Sequence, residues 1–407
     1  MGKLDASAVA LGRKIAFHRA RRGLSQRDFG AMVDRSETWV SQVERGERRI
    51  DRMTVLRQVA EALGVPLSEL AVDTPIVAEA SSRPAPASAL RTLLSSSLTL
   101  SLAVSQPTSE PATSIGQLLD EADRAWQLAH SADYGELIPL LTELLPRAEA
   151  AVRQSSGAAG RRAFRVLARI YHAAAAALVK LNEHAAAWVA ADRAIAAAER
   201  AGDRLLMGEG VFRLVLVFQA GRQYDQAGQA ATTGIEALDP LAQSGATAAV
   251  SLQGALHLQL AIGAARQNRA TDAVEHLRQA RVAAEAVGVD RNDYNTEFGP
   301  TNVMLHEIAV AVELGDPGTA LRLADTVEAG RLSPERQGRL LLDVARAHLQ
   351  RRHWEGAIVA LLDAERITPE QVRNHWVTRI LLQDLERSVR PVDERVRGLM
   401  ERCRIMA

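Results

Sequence analysis

The chain has 407 residues, and its 49 Lys and Arg balance 49 Asp and Glu, so the formal net charge is zero. That length exceeds one small module and leaves room for a substantial second core. Cys403 is the single cysteine, which excludes an intrachain disulfide framework. No run of about twenty apolar residues stands out as a bilayer span, and Met1 to Asp5 carries no apolar leader. A cytoplasmic protein without membrane contact is expected.

The first predicted elements lie within seventy residues. An apolar-periodic helix ends at Gly23, and Ser25 then caps a short helix from Gln26 to Val33, with Asp28 as its capping-box partner. The turn Asp34-Arg35 leads to a second cap, Ser36, and to a helix from Glu37 to Arg45 that stops at Gly46. Two short helices joined by a tight turn, the second bearing small polar side chains, make a helix-turn-helix, a unit that docks on duplex DNA. Residues 1–70 hold thirteen cations and nine anions, +4, which leaves −4 for the remainder. A basic head on a slightly acidic body suits a DNA contact made through the head alone.

Gly12-Arg13-Lys14-Ile15, Arg22-Gly23-Leu24-Ser25-Gln26 and Val40-Ser41-Gln42-Val43-Glu44-Arg45-Gly46 resemble the Xre family, which includes the lambdoid phage Cro and repressor proteins. Val59 to Pro66, closing with Leu67 to Leu70, extends the likeness to residues 8–70. Phe29-Gly30 stands where the family usually has Leu-Ala, and Asp34 where Gly is common; Asp tolerates the left-handed conformation such a turn needs. The resemblance implies a five-helix, lambda-repressor-like domain over residues 1–72 that binds an operator as half of a homodimer. Its third helix would enter the major groove with Glu37, Thr38, Ser41 and Gln42 outward and Trp39, Val40 and Val43 packed inward. Carried over from the family, Glu37, Thr38 and Gln42 read bases: Gln pairs with adenine, Glu accepts from cytosine, and Thr meets a thymine methyl. Gln26, Arg35, Ser36, Arg45, Arg48 and Arg49 are expected as phosphate contacts that set register.

Residues 73–114, rich in Pro, Ser and Ala, read as a flexible connector. Within it, Leu90 to Leu102 is more apolar than a plain linker, which leaves two readings open: a docking helix or strand, or a low-complexity tether.

Residues 115–407 are helical in pattern, with breaks at Asn182, Gly202, Gly221, Gly245, Asn268, Gly288, Gly315, Arg351 and Pro369 and no period-two strand signal. Small or apolar residues opening helices recur at Leu137, Ala187, Ala227, Ala273, Ala320 and Ala357, spaced 37 to 50 residues apart. That recurrence resembles a tetratricopeptide-type superhelix of six or so hairpins, with an irregular α-bundle as the alternative. The predicted fold class is all-α throughout.

Stacked hairpins leave a concave face, the usual ligand face of such arrays. The segment Arg291 to Asn302, followed by His306, stands out from its Ala/Leu-rich surroundings. Asn302 and His306 share a helical face and are candidate ligand contacts; Arg213, Phe218, Gln253 and His257 join them by repeat logic. The layout resembles actinobacterial Xre regulators with tetratricopeptide C-terminal halves, and in architecture alone the peptide-pheromone receptors of Gram-positive bacteria. The effector this implies is a peptide or small molecule. A scaffold that grips a partner protein, or a ligand-blind repressor, are the competing readings. No phosphate-cradling glycine loop, G-x-S-x-G elbow or H-E-x-x-H helix is present, and the histidines show no metal grouping with cysteine. Neither an enzyme nor a cofactor is expected.

Overall fold

The computed structural model describes residues 6–50, 53–65, 67–70, 87–95, 114–389 and 392–405. Among these the regular structure is helical, apart from one isolated antiparallel bridge between Arg291 and Phe298. The head comprises α1 (Ala6–Arg21), α2 (Gln26–Met32), α3 (Glu37–Glu44), α4 (Met53–Leu63) and α5 (Leu67–Leu70). Its core gathers Ile15, Phe29, Val33, Val40, Val43, Val59 and Leu70. Both halves of the Ser25–Asp28 capping box are made, and Ser36 accepts from the Trp39 N–H. α2 and α3 each end one residue earlier than the sequence pattern suggests, because Val33 and Arg45 take the cap positions. Asp34 adopts the left-handed conformation at φ 52°.

The stretch read as a connector is not uniform. Ala87–Ser95 forms α6, and Ala87, Leu90 and Leu94 are buried in the first core of the body. Arg91 pairs with Glu183 at 2.7 Å, and Arg193 donates to the Leu94 carbonyl at 3.1 Å. The docking reading of Leu90 to Leu102 thus holds for the helix up to Ser95. Residues 96–102 lie outside the described residues, as do the remaining parts of 71–113.

The body is a series of helical hairpins. Its first helices are α7 (Ile115–Ser131), α9 (Gly157–Lys180), α11 (Arg204–Ala220), α13 (Thr247–Arg266), α15 (Pro300–Glu313) and α17 (Pro334–Gln350). The second helices are α8 (Tyr134–Gln154), α10 (His184–Ala201), α12 (Tyr224–Gln243), α14 (Ala270–Val287), α16 (Pro317–Ala324) and α18 (Trp354–Ile367). Three further helices follow: α19 (Pro369–Asn374), α20 (Trp376–Ser388) and α21 (Glu394–Arg402). The six recurring positions Leu137, Ala187, Ala227, Ala273, Ala320 and Ala357 each fall in the first turns of a second helix, and all are buried. At five of the six an alanine lets the paired helices approach closely, and Leu137 stands at the sixth. Within each hairpin the turn contains one left-handed residue: Ala132, Asn182, Arg222, Asn268, Gly315 or Arg352.

The array curves until its ends meet. α7 packs against α17. Lys180 pairs with Glu335, and the Tyr134 and Gly135 N–H groups donate to Glu370 at 2.8 and 3.0 Å. Asn182 donates to the Asn374 carbonyl at 3.1 Å. α13 meets the length and composition of a membrane span, contrary to the reading of the bare sequence, yet 67% of that stretch is buried inside the array.

Phe298 is fully buried and lies over Gly254 on α13, where an added Cβ would sit 2.0 Å from the ring. Gly254→Ala is expected to lower stability by about 1–3 kcal/mol through overpacking. Phe298→Leu in the same chain should recover part of that loss, and denaturation midpoints of the single and double variants measure it.

Candidate nucleic-acid interface and inner face

α3 is short, capped, and turned so that Trp39, Val40 and Val43 enter the head core. That fixes the opposite face outward. Glu37 and Thr38 are exposed, Ser41 and Gln42 are partly so, and among the described residues the Glu37, Thr38 and Gln42 side chains have no hydrogen-bonding partner. Ser41 Oγ accepts from Arg45, whose guanidinium also grips Glu47 through two nitrogens at 2.8 and 2.9 Å. The Glu47 carboxylate holds the Arg45 guanidinium above its usual range. Gln26 donates to Glu44 at 2.7 Å, and Glu44 is held in turn by Arg19 at 2.5 and 3.0 Å. Arg35 donates to the Asp34 carbonyl, Ser36 caps α3, Arg48 is exposed without a partner among the described residues, and Arg49 is exposed. Of the ten expected DNA-facing residues, Glu37, Thr38, Ser41 and Gln42 lie on α3, Ser36 and Arg45 cap it, Arg35, Arg48 and Arg49 lie in the flanking turns, and Gln26 lies on α2. The unpartnered Glu37, Thr38 and Gln42 side chains suit base edges, and the arginines of the flanking turns suit phosphates.

A family model described as a helix-turn-helix domain matches residues 10–72. No curated protein matches the chain. The chain carries an N-terminal helix-turn-helix domain on an all-helical body.

The head is seated on the body by its other side. Arg21 pairs with Glu313, Arg22 with Asp384, and Gln350 donates to the Arg21 carbonyl. Asp28 meets Arg352, while Glu69 meets both His18, at 3.0 Å, and Arg222. Burial would raise the Glu69 carboxyl, but His18 and Arg222 outweigh it and hold it at about 2. Gly23 and Gly64 are both left-handed, and a Cβ at either would lie within 2.7 Å of Gln350 or Ile380. Sequence reasoning missed these contacts. Arg222 and Arg352 carried a faint signal, since each sits at a turn position where Asn or Gly is easier.

On the inner side of the array, residues 289–299 fill the space that stacked hairpins leave open. Arg213 on α11 donates to the Asn295 carbonyl at 2.8 Å, Arg336 on α17 to Glu297 at 3.2 Å, and His130 on α7 lies 3.4 Å from Glu297. Tyr294, Asn295 and Glu297 are all left-handed, at a cost of about 1–2 kcal/mol each. Below this loop Glu209 lies 2.9 Å from His172, too poorly aligned for a hydrogen bond, and 3.4 Å from Arg213. Burial pushes the Glu209 carboxyl up, but His172 and Arg213 hold it below its usual range.

Asn302 and His306 are buried beneath the same loop. Asn302 donates to the Thr296 carbonyl at 3.5 Å, leaving its Oδ1 without a partner. His306 Nδ1 lies 2.8 Å from the Asn302 carbonyl and therefore carries the proton, so Nε2 accepts from Gln259 at 3.3 Å. Arg213 lies over the Trp126 ring, 4.7 Å from its centroid, and Phe218 packs into the second core. Gln253 and His257 do not join them: Gln253 donates to Asp239 and to the Ile235 carbonyl, and the His257 Nδ1 lies 3.4 Å from that of His276. Repeat logic put them on the inner face, but their side chains point to the second-helix layer.

Arg48→Ala should reduce the slope of log affinity against log salt by about one unit. Arg45→Ala should reduce it by less, because Arg45 must first leave Glu47. Titrating a DNA duplex at several salt concentrations tests both. The His257 ring is pushed down to about 4 by burial and by His276. The stability of its neutral form is complete above the unfolded value near 6.5 and is lost as pH falls toward 4. The loss is expected at about 1–2 kcal/mol, since the ring keeps some solvent. His257→Gln should flatten that part of the stability profile, measured by denaturation between pH 7 and 4.

Proposed function

We propose that this protein is a sequence-specific DNA-binding transcriptional regulator of the Xre type, acting as a homodimer in the cytoplasm without catalytic activity. Its tetratricopeptide-like body dimerises and senses a peptide or small molecule. The observation that carries the reading is the outward face of α3, where Glu37, Thr38 and Gln42 stand unpaired on a capped helix within the matched domain. The ion pairs that seat the head on the body support the sensing half. A ligand that prefers one placement of the head shifts the balance between placements by its difference in affinity. A second reading, a scaffold recruited to DNA, is favoured by Val274 and Val282, which are 61% and 52% exposed on α14.

The test is a footprint of purified protein on its own upstream DNA at fixed salt, with and without host-culture extract. Two protected half-sites about one helical turn apart are expected, changing with extract. Gln42→Ala should cost about 1–3 kcal/mol at that site and relax base preference there, with little loss on random duplex. Equal loss on both would remove Gln42 from base reading. Absence of protection would favour the scaffold.

A further inference from the structure

We infer that residues 292–297 are a built-in occupant of a peptide site on the inner face, and that the ligand which displaces them is a short acidic peptide. The inference deepens the sensing half of the reading above and, for its regulatory role, rests on it.

The argument begins with main-chain carbonyls. Three in succession are held by side chains from three separate helices. Arg213 on α11 donates to the Tyr294 carbonyl at 3.4 Å and to that of Asn295 at 2.8 Å. Arg336 on α17 donates to the Thr296 carbonyl at 3.1 Å, and Asn302 on α15 reaches the same oxygen at 3.5 Å. Arg336 also holds the Glu297 carboxylate at 3.2 Å, and His130 on α7 lies 3.4 Å from it. Donors aimed at successive backbone carbonyls, with a cation at an acidic side chain, are what a peptide requires of its site.

Two features mark the segment as an occupant that another chain can replace. First, it matches its surroundings incompletely. Arg213 Nε and Asn302 Oδ1 have no hydrogen-bonding partner among the described residues, although Arg213 and Asn302 are 5% and 4% exposed. A buried donor and a buried acceptor are thus left for an amide group that residues 292–297 do not supply. Second, Tyr294, Asn295 and Glu297 hold left-handed conformations that a separate peptide, with its own path through the site, need not adopt.

The ends of the segment are anchored independently of its tip. The Arg291 N–H donates to the Phe298 carbonyl at 2.9 Å, Phe298 is buried over Gly254, and Asp290 accepts from the Thr301 N–H at 2.9 Å. The tip can leave while these contacts stay. The room for a ligand is the room that residues 292–297 now fill, and the partial exposure of Asp293, Tyr294 and Asn295 opens it to solvent. α17, which carries Arg336, also carries Arg346 and Gln350. Arg346 holds Glu313, the partner of Arg21, and Gln350 donates to the Arg21 carbonyl. A peptide that takes Arg336 from Glu297 therefore acts on the helix against which the head rests.

The experiment measures fluorescence anisotropy of a labelled peptide, Asn-Asp-Tyr-Asn-Thr-Glu amide, the sequence of residues 292–297. It is titrated with the full-length parent and with a full-length chain in which those residues are replaced by Asn-Gly, a two-residue turn that keeps the Arg291–Phe298 bridge. Saturable binding to the shortened chain is expected. The parent should bind at least about tenfold more weakly, because its own tethered segment competes at an effective concentration on the order of millimolar. In the shortened chain Arg336→Gln should weaken binding by about tenfold, and a peptide with Gln in place of its Glu should lose a similar factor. Arg278→Gln, on an outer exposed pair with Glu275, should change nothing. Circular dichroism confirms that each chain is folded. If the shortened chain is not, Glu297→Gln in the parent, which frees Arg336, takes its place and should bind more tightly than the parent. If Arg336→Gln is not, the altered peptide tests the same contact. No saturable binding to the opened chain, equal binding by it and the parent, or indifference to both changes at the Arg336 contact overturns the site. Operator affinity with and without saturating peptide is measured separately. Binding without a change in operator affinity keeps the site and removes its regulatory role, whereas an extract-dependent footprint without peptide binding keeps the sensor and removes the site.

Discussion

Glu313 holds the molecule's two parts in register. Its carboxylate is almost wholly buried, at 2% side-chain exposure, and is met by Arg21 from α1, Arg266 from α13 and Arg346 from α17. A buried carboxylate that lost its partners would cost several kcal/mol, so the three arginines are not interchangeable decoration. One of them belongs to the head. The burial of a single charge thus demands that the end of α1 be present, and this fixes where the DNA-facing side of α3 points relative to the body. Arg22 with Asp384 and Glu69 with Arg222 repeat the arrangement on either side.

The head was legible in the sequence because its signals are local. A serine three residues ahead of an acid, a left-handed Asp34 and an inward triad of Trp39, Val40 and Val43 are each decided within a turn or two of chain. The hairpin array was legible by recurrence: an alanine near the start of five second helices, with Leu137 in the first, suffices when the copies agree in spacing. What the sequence did not show is what depends on the path of the whole array. The meeting of α7 with α17 and the seating of the head on α17 and α20 bring together residues more than 200 positions apart, as with Gly135 and Glu370. No spacing rule encodes such pairs.

Residues 289–299 illustrate a subtler limit. Their polar, turn-rich composition was visible, and it pointed toward the inner face. The polar groups are directed there, yet they satisfy Arg213, Arg336 and His130 of the same chain. Composition reveals that a segment wants hydrogen bonds; it does not reveal whether the partners are internal. Gln253 and His257 failed for a related reason. Repeat logic assigns a helix to the inner layer but not the side of that helix, and their side chains face Asp239 and His276 in the outer one.

α6 changes what the connection between head and body can do. Because Ala87 is already buried in the body, only residues 71–86, sixteen in number, lie between it and the last described residue of the head. Sixteen residues span at most about 55 Å even fully extended. A head lifted from its seat therefore stays within a small volume, at an effective local concentration on the order of millimolar. At that concentration contacts too weak to hold two separate molecules together suffice to bring the head back. The cost of taking Arg21 from the buried Glu313 is then set against a short tether, and the balance of the two fixes how often the head leaves its seat.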